Sequence, residues 1–430
     1  MSATSASLRA EPTFVRWASA EGVSMLGTAV SSVVLPLVVY QTTGSAAQTG
    51  ALFALRVVPY LVFGLVAGPV ADRGDRRRLI IGGNLVEGTL VATIPIAHLL
   101  GVLTIGQIYV VALLAATAFV FSDAAVFGAV PALVGPERLA AANGFLSTLS
   151  AGSEIVGPVI AGALVAAIGA TNAIWIDAAS FFAAAAVQST IRSSFREPRD
   201  ASAVAEGIRA TLRRASRFIR SDRTVATLLL AGFGNSFAFG TVIGLLVPYA
   251  VEEIGVPADD GRIGLLYGAL GVGSLAAGLL FARVFRPGRI KVLTPGALVL
   301  AGGLVAVLAA NTRWVTALIA IALFAWAIMT AVIVGITYRQ LAAPDDLRSS
   351  VNVIGRMIAW GGQPFGAAAG AAISATADVP TAYSVAAVIM LVSGVGAAIA
   401  LRTADGGRSA AAAYERRLDG RVADVRDAGQ

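Results

Sequence analysis

Two carboxyl groups, Glu21 and Glu154, lie inside long apolar stretches of this chain. A carboxylate at the centre of a membrane-spanning helix costs about 3 kcal/mol on insertion scales, so such a group usually has an aqueous cavity, a partner or a proton. Arg56 also lies within an apolar stretch and, if it is close to either acid, would favour the ionised form. The three residues therefore predict reversible proton binding. The alternative is that the acids are buried structural hydrogen-bonding groups.

The stretches that hold these residues dominate the composition. Of the 430 residues, 57% are hydrophobic and 13% are charged, whereas about 25% of an average soluble domain is charged. Twelve stretches meet or approach the roughly 20 residues that a helix needs to cross a bilayer. They are residues 14–40, 48–71, 79–100, 107–131, 139–168, 171–190, 223–251, 262–284, 290–310, 313–338, 349–376 and 380–401. The sequence predicts an all-α integral membrane protein with 12 transmembrane helices in two six-helix bundles.

Basic residues alternate between the gaps. All but four of the 32 lysines and arginines lie in every second gap between the apolar stretches or at the edges of such a gap. The exceptions are Arg262 and Arg313 at the edges of the other gaps, and Arg56 and Arg356 well within spans. Because short loops rich in Lys and Arg stay cytoplasmic, the pattern predicts a multi-pass protein of the cell membrane with both termini in the cytoplasm. The net charge of +7 then indicates a cytoplasmic face that touches anionic lipid, not a nucleic-acid site.

The longest polar interval divides the chain into four predicted parts. These are an N-terminal bundle (1–190), a cytoplasmic linker (191–222), a C-terminal bundle (223–401) and a cytoplasmic tail (402–430). Apolar residues recur in the linker at helical spacing, between arginines, and predict an amphipathic helix on the inner membrane surface. They are Val204, Ile208, Leu212, Ala215 and Ile219.

The two halves of the chain echo one another. Gly135 to Leu139 align with Ala343 to Leu347, and the same offset aligns Gly162 with Gly370. Parallel six-helix repeats are typical of one architecture of secondary transporters.

A charged loop follows the second span and reads Gly68-Pro-Val-Ala-Asp72-Arg73-Gly74-Asp75-Arg76-Arg77-Arg78-Leu79. In length, position and charge order it resembles the signature loop of the major facilitator superfamily, G-x-x-x-D-R-x-G-R-R. It departs at Asp75, which stands where the motif has its second glycine, with Gly74 one residue early. We expect Gly74 to supply a positive backbone angle for the turn.

Further segments resemble the branch of this family with enterobactin-type siderophore exporters and macrolide efflux proteins. They are Arg56 to Tyr60, Pro131 to Asn143, Gly157-Pro158 and Ile176 to Phe181. The resemblance implies alternating access and proton-coupled export of a small amphipathic compound, drug-like or siderophore-like. It implies a small-molecule substrate and protons as partners. Membrane lipid is expected at the basic face, the chain is expected to be a monomer, and no cofactor is expected. With no cysteine and one histidine, the sequence argues against a metal site. Span four lacks the arginine that many drug–proton antiporters carry there, so these residues alone do not establish antiport.

The resemblance also assigns a role to the charged loop, which would be a conformational latch on the cytoplasmic side. Asp72 would face the start of span eleven, where the helix dipole favours a carboxylate. Arg76 would pair with Asp123, whereas Arg77 and Arg78 would only mark topology and face lipid. The residues of the latch are Gly68, Asp72, Arg73, Arg76 and Asp123.

Polar and aromatic residues at plausible depth in the second half are candidates to line a substrate cavity. They are Asn235, Phe239, Tyr267, Trp326, Asn352, Arg356, Trp360 and Gln363. Two further acids receive other interpretations. Glu87 is expected to pair with the adjacent basic loop, and Asp177 to make a structural contact.

Three alternatives stay open to different degrees. An enzyme would need a phosphate loop, a nucleophile with a base, or clustered metal ligands, and the glycines from Gly268 to Gly273 lie inside span eight, where they favour helix packing. Uptake by proton symport fits the same topology as export. A receptor that binds a solute without moving it would be expected to carry a soluble signalling domain, and the longest polar segment has about 30 residues.

Overall fold

The computed structural model describes residues 11–135, 138–191, 195, 208–284, 290–344 and 347–403. Secondary structure in this part of the chain is helical. The helices are α1 (Pro12–Thr43), α2 (Ala46–Arg73), α3 (Arg76–Leu99), α4 (Ile105–Val134), α5 (Leu139–Ile168), α6 (Ala170–Ser189), α7 (Ile208–Ser221), α8 (Arg223–Gly244), α9 (Leu246–Pro248), a π-turn (Tyr249–Glu253), α10 (Arg262–Val284), α11 (Ile290–Ala310), α12 (Trp314–Ala342), α13 (Arg348–Trp360), α14 (Gly362–Thr376) and α15 (Val379–Thr403).

Eleven helices in the described ranges are long and apolar enough to cross a membrane. The predicted eleventh span, 349–376, forms two consecutive helices, α13 and α14, that meet at Gly361. Pro364 has no N–H to donate to the Trp360 carbonyl, so a continuous helix cannot keep its hydrogen bond there. The chain is a multi-pass helical membrane protein, and the count of twelve spans stays a prediction.

The predicted seventh span is also interrupted. Helix α8 ends at Gly244, and the short α9 and the π-turn continue the segment to Glu253. Pro248 cannot donate to the Gly244 carbonyl, which accounts for the break at this point.

The chain divides into two compact units. The first consists of residues 1–200, 243–271 and 371–379. Within it α1 packs against α2, α5 and α6, while α3 packs against α4 and α6. One apolar cluster of this unit contains Phe14, Trp17, Ile80 and Leu133. The predicted division of the chain at residues 190 and 223 stays a prediction.

Glycines let backbones approach closely in the first unit. A Cβ atom added to Gly264 of α10 would overlap the carbonyl oxygen of Pro158 in α5, and one added to Gly162 of α5 would overlap that of Gly261. Small residues of this kind let membrane helices pack at short distance. Nearby, Tyr40 Oη donates to Glu252 Oε1 at 2.9 Å.

The second unit consists of residues 201–242, 272–370 and 380–430. In it α7 packs against α13, and Ala215 and Ile219 are buried in a cluster with Leu228, Tyr338 and Leu347. The described part of the apolar face of the linker helix, Ala215 and Ile219, therefore lies against protein, and α13 is one of the helices that cover it. Val204 and the side chains of Ile208 and Leu212 lie outside the described part of the structure. The expected position of this helix at the membrane surface stays a prediction.

Arg262, one of the exceptions in the charge pattern, has a partner at the start of α10. Its Nε donates to Asp260 Oδ2 at 2.7 Å, and its backbone N–H donates to Asp260 Oδ1 at 2.8 Å. These bonds hold the pKa of Asp260 below its ordinary value. The cation is thus neutralised locally, and its position in an intervening gap does not contradict the predicted topology.

Candidate functional site

The predicted proton acceptor Glu21 is half-buried and joins a chain of polar side chains in the first unit. Gln188 Nε2 of α6 donates to Glu21 Oε2 at 3.0 Å. Gln188 Oε1 in turn accepts from Asn84 Nδ2 of α3 at 3.0 Å, and Asn84 Oδ1 lies 3.5 Å from Ser24 Oγ. The chain links α1, α6 and α3 by side-chain hydrogen bonds. A carboxyl group held in this way is fixed in position within an apolar bundle.

The small residues beside Glu21 permit this arrangement. A Cβ atom on Gly22 would lie 3.2 Å from Leu149 of α5. One on Gly27 would overlap Ser180 of α6 and lie 3.0 Å from Asp177 Oδ1. The expectation that small residues here allow close helix approach is confirmed.

Arg56, Asp177 and Tyr267 form a second polar group in the first unit. Arg56 of α2 interacts electrostatically with Asp177 of α6 and with Tyr267 of α10. Asp177 is 3% exposed and Tyr267 is 6% exposed. The Asp177 Oδ1 and Tyr267 Oη atoms are buried with no hydrogen-bond partner among the described residues. Arg56 is therefore a cation close to the Asp177 carboxyl and the Tyr267 hydroxyl. Either of these groups can change its hydrogen-bond partner or its protonation state.

Glu154 lies in a different environment. Its side chain is exposed, and Ser150 Oγ one turn earlier in α5 donates to Glu154 Oε1 at 3.4 Å. A Cβ atom on Gly271 of α10 would lie 2.7 Å from the backbone carbonyl oxygen of Glu154. The structure does not join Glu154 to the Glu21 chain, and the two predicted acids occupy separate places in the same unit.

We expected Glu87 to pair with the basic loop. The structure instead places it inside the bundle. The residue is 5% exposed, and its Oε1 atom lies 3.3 Å from Ser122 Oγ of α4. Glu87 lies on the face of α3 that also carries Asn84 and packs against α4 and α6.

In the charged loop, Gly74 has φ −76° and ψ 176°, so the expected positive backbone angle is wrong. Its glycine identity has a steric reason instead, because a Cβ atom would lie 2.9 Å from the Val70 carbonyl oxygen. Asp75, the departure from the motif, is the N-cap of α3 and accepts from the Arg78 backbone N–H at 3.2 Å. The loop therefore begins α3 with a side-chain cap.

Removing this cap is expected to destabilise the protein. An Asp75→Ala substitution should lower the free energy of unfolding by about 1 kcal/mol, because the N-cap acceptor is lost. Asp75→Asn retains an acceptor and should leave stability nearly unchanged. Thermal unfolding of the purified variants in one detergent measures the difference, and equal midpoints for the two variants would contradict the capping role.

The arginines of the loop bind helix carbonyls. Arg76 Nη1 donates to the Gly128 carbonyl of α4 at 2.6 Å, and Arg77 Nη2 donates to the Ser189 carbonyl at the end of α6 at 2.6 Å. Arg77 thus has a contact beyond the topological role that we expected. Basic side chains at helix C-termini satisfy carbonyls that have no intrahelical donor.

The remaining latch residues are placed as follows. Tyr60 Oη lies 3.4 Å from Asp123 Oδ2, and Asp123 and Arg73 are exposed. A Cβ atom on Gly68 would meet nothing within 4 Å. The side chain of Asp72 lies outside the described part of the structure. The pairing of Arg76 with Asp123 stays a prediction.

The predicted cavity residues divide by exposure. Asn235 is 3% exposed and its Oδ1 has no hydrogen-bond partner among the described residues, while Phe239, Trp326 and Gln363 are half-buried. Arg356 and Trp360 are exposed, and the Arg356 guanidinium carbon lies 5.8 Å from the centre of the Trp360 ring. The side chain of Asn352 lies outside the described part. Their role in a cavity stays a prediction.

The sequence analysis missed Asn84, Gln188 and Ser122. All three are uncharged polar residues inside apolar spans, and a search for charges passes over them. Their positions carry a usable signal, because Asn84 and Glu87 are three residues apart and share one face of a helix.

A helical bundle with buried acids and glycine-packed spans defines a polytopic helical membrane protein. Residues 18–351 match the sequence profile of the Major Facilitator Superfamily. The chain belongs to the Major Facilitator Superfamily.

Curated relatives are efflux proteins. The chain is 26% identical over 267 residues to the multidrug efflux pump Tap of Mycolicibacterium fortuitum, covering 60% of this chain and 64% of the pump. It is 28% identical over 158 residues to macrolide efflux protein A of Streptococcus pyogenes, covering 37% and 38%. It is 26% identical over 363 residues to the enterobactin exporter EntS of Salmonella typhi, covering 80% and 81%. The first two matches span less than two thirds of those relatives, and the resemblance to this branch is confirmed.

Solved structures support the fold. A bacterial homolog of the human lysosomal transporter Spinster matches with a TM-score of 0.70 at 16% identity, covering 94% of this chain and 97% of that one. The nucleoside transporter NupG matches with a TM-score of 0.72 at 10% identity, covering 91% and 99%. Likeness at these identities establishes the architecture and leaves the substrate open.

Proposed function

We propose that this transporter exports a small amphipathic compound, drug-like or siderophore-like, in exchange for protons. It acts as a monomer in the plasma membrane, with both termini in the cytoplasm and anionic lipid at its basic face. The proposal rests on one observation: Gln188 donates a hydrogen bond to the carboxyl group of Glu21 inside an apolar bundle. Export as the direction is supported by the relatives, whose names describe efflux of drugs, macrolides and enterobactin.

Proton coupling uses Glu21, Glu154 and Arg56 in this proposal. A carboxyl group in an apolar bundle is stable when it is protonated or has a polar partner. Glu21 has such a partner, and the side chain of Glu154 is exposed at the surface of its span, where in this proposal it exchanges a proton with water. Arg56 lies near Asp177, so a change in the charge of one group alters the free energy of ionising the other.

The substrate is held by the aromatic and polar residues of the second half, with Arg356 and Trp360 as an exposed pair that suits a planar or anionic group. The charged loop is the latch, and Gly68, Asp72, Arg73, Arg76 and Asp123 act in it. Arg76 already binds a backbone carbonyl of α4, which ties the loop to the bundle.

Transport by inside-out membrane vesicles tests the proposal. With an acidic lumen, vesicles that contain the protein should accumulate at least one of ethidium, erythromycin and iron-free enterobactin, and a protonophore should abolish the accumulation. Glu154→Gln should reduce the accumulation at least tenfold, because the amide cannot exchange a proton. Asp259→Asn, an exposed loop residue, is the matched control and should retain full activity.

Different outcomes separate the alternatives. Loss of preloaded compound from acidic inside-out vesicles, without accumulation, would indicate uptake by symport. Binding of a compound without movement in either direction would indicate a receptor. Undiminished transport by Glu154→Gln would remove that residue from the coupling mechanism and leave the family unchanged.

A further inference from the structure

Glu87 is a buried acid that takes no part in the proton coupling proposed above. It is the twelfth of 24 residues in α3, and 5% of its surface is exposed. Among the described residues, Ser122 of α4 is the hydrogen-bond partner of its carboxyl group. If Glu87 were ionised here, its carboxylate would accept a hydrogen bond from one hydroxyl group among the described residues.

That hydroxyl has other acceptors closer to it. Ser122 Oγ lies 3.0 Å from the Ala118 carbonyl oxygen and 3.2 Å from that of Phe119, compared with 3.3 Å to Glu87 Oε1. A serine hydroxyl has one proton to donate and two lone pairs to offer. Donation to the carbonyl four residues earlier is the usual arrangement for serine within a helix. With the serine proton directed to a carbonyl, a neutral Glu87 carboxyl group can donate its own proton to a lone pair of Ser122 Oγ.

Other acids of the bundle lie near Glu87. Asp177 of α6 and Glu21 of α1 interact with it electrostatically. Asp123 of α4 acts on Glu21, and Arg56 of α2 is the cation that acts on Asp177. Each ionised acid of such a group opposes the ionisation of the next, since like charges repel.

Glu87 is also placed to communicate with Glu21. Asn84 lies one turn before Glu87 on the same face of α3, and Gln188 joins Asn84 to Glu21. Gly83 makes the room for this arrangement, because a Cβ atom there would lie 2.8 Å from Ser122 Oγ and 3.8 Å from Glu87 Oε1. The backbone of α3 is therefore close enough to α4 for a direct bond between the acid and the hydroxyl.

We propose that Glu87 is a proton-binding site of the transporter, which holds a proton in this conformation and exchanges it in step with Glu21 through the amides of Asn84 and Gln188. In the protonated state the Glu87 carboxyl donates to Ser122 Oγ. When the proton leaves to water, the Ser122 hydroxyl turns from the Ala118 carbonyl and donates to the carboxylate. The part of this inference that concerns transport rests on the proposed proton coupling, whereas the proton on Glu87 does not.

Infrared difference spectroscopy of the full chain in lipid nanodiscs tests the bound proton directly. On raising the pH, the wild-type protein should lose an absorption band of a protonated carboxyl C=O group. Glu87→Gln should lack this band, while Asp259→Asn should keep it at full intensity. Ser122→Ala should keep the band at a shifted frequency, because the acceptor of the carboxyl proton is removed. A wild-type band that persists unchanged in Glu87→Gln overturns the proposal.

Ethidium transport by the same vesicles tests the coupling. Glu87→Gln resembles the protonated acid in shape and hydrogen bonding, so it should fold with an unchanged unfolding midpoint and lose at least tenfold of pH-driven accumulation. If Glu87 had only a structural role, this variant would be fully active. Full activity of Glu87→Gln overturns the proposal, whether or not the infrared band is lost. If the wild-type protein fails to move ethidium, erythromycin or enterobactin under a pH gradient, the proposed function fails, and the infrared result still decides whether Glu87 holds a proton.

Discussion

Replacing Gly264 by alanine is expected to reduce transport by on the order of tenfold to a hundredfold while the protein still folds. In the structure a Cβ atom at this position of α10 would overlap the carbonyl oxygen of Pro158 in α5. Both partners are backbone, so neither can rotate away and the helices must separate. Overpacking of this kind costs about 1–3 kcal/mol, and each 1.4 kcal/mol changes a population about tenfold. The population of the conformation described here then falls. Transport falls with it, because a transporter must pass through each of its conformations in every cycle.

Gly268 provides the matched control one turn further along α10. A Cβ atom there would lie 3.6 Å from Val159 Cγ2, which is ordinary contact. Gly268→Ala should therefore retain transport in the vesicle assay, at equal amounts of protein in the membrane. The steric explanation would be wrong if Gly264→Ala were as active as Gly268→Ala.

Alanine at Gly27 is expected to destabilise the protein. A Cβ atom on Gly27 of α1 would overlap the hydroxyl of Ser180 in α6, lie 2.8 Å from Ser180 Cβ and lie 3.0 Å from Asp177 Oδ1. Because Ser180 and Asp177 are themselves buried, the bundle has no free space for them. We expect the free energy of unfolding to fall by about 1–3 kcal/mol, which thermal unfolding in detergent would register as a clearly lower midpoint.

Two further variants make this test specific. Gly82 of α3 has nothing within 4 Å of an added Cβ atom, so Gly82→Ala should be neutral or slightly stabilising. Ser180→Gly removes the group that obstructs the new methyl, so Gly27→Ala combined with Ser180→Gly should recover most of the lost stability. Additive effects of the two substitutions would show that they do not meet.

The positions of most helices follow from the sequence because a bilayer permits few alternatives. Backbone groups in lipid must be bonded within their own segment, so an apolar stretch of sufficient length becomes a helix. The stretches predicted at 262–284 and 290–310 coincide with α10 and α11. Hydropathy also identified Glu21 as an acid in a spanning segment, since a charge is conspicuous among apolar neighbours.

Other features depend on contacts that hydropathy does not describe. The break at Gly361 lies three residues before Pro364, and composition alone treats residues 349–376 as one apolar stretch. The apolar face of α7 was evident from its spacing, but the surface that covers it was not. Hydrogen bonds such as that between Gln188 and Glu21 join residues 167 positions apart, which no local pattern can indicate.

The capping aspartate of the charged loop has a consequence for how related sequences are found. Asp75 begins α3 by side-chain bonding, so a short turn at this site can be built without the second glycine of the motif. A survey that requires both glycines would discard such chains, although their loops perform the same turn with a different residue. Patterns that accept an aspartate, asparagine or serine one position before the first arginine of the triplet would recover them.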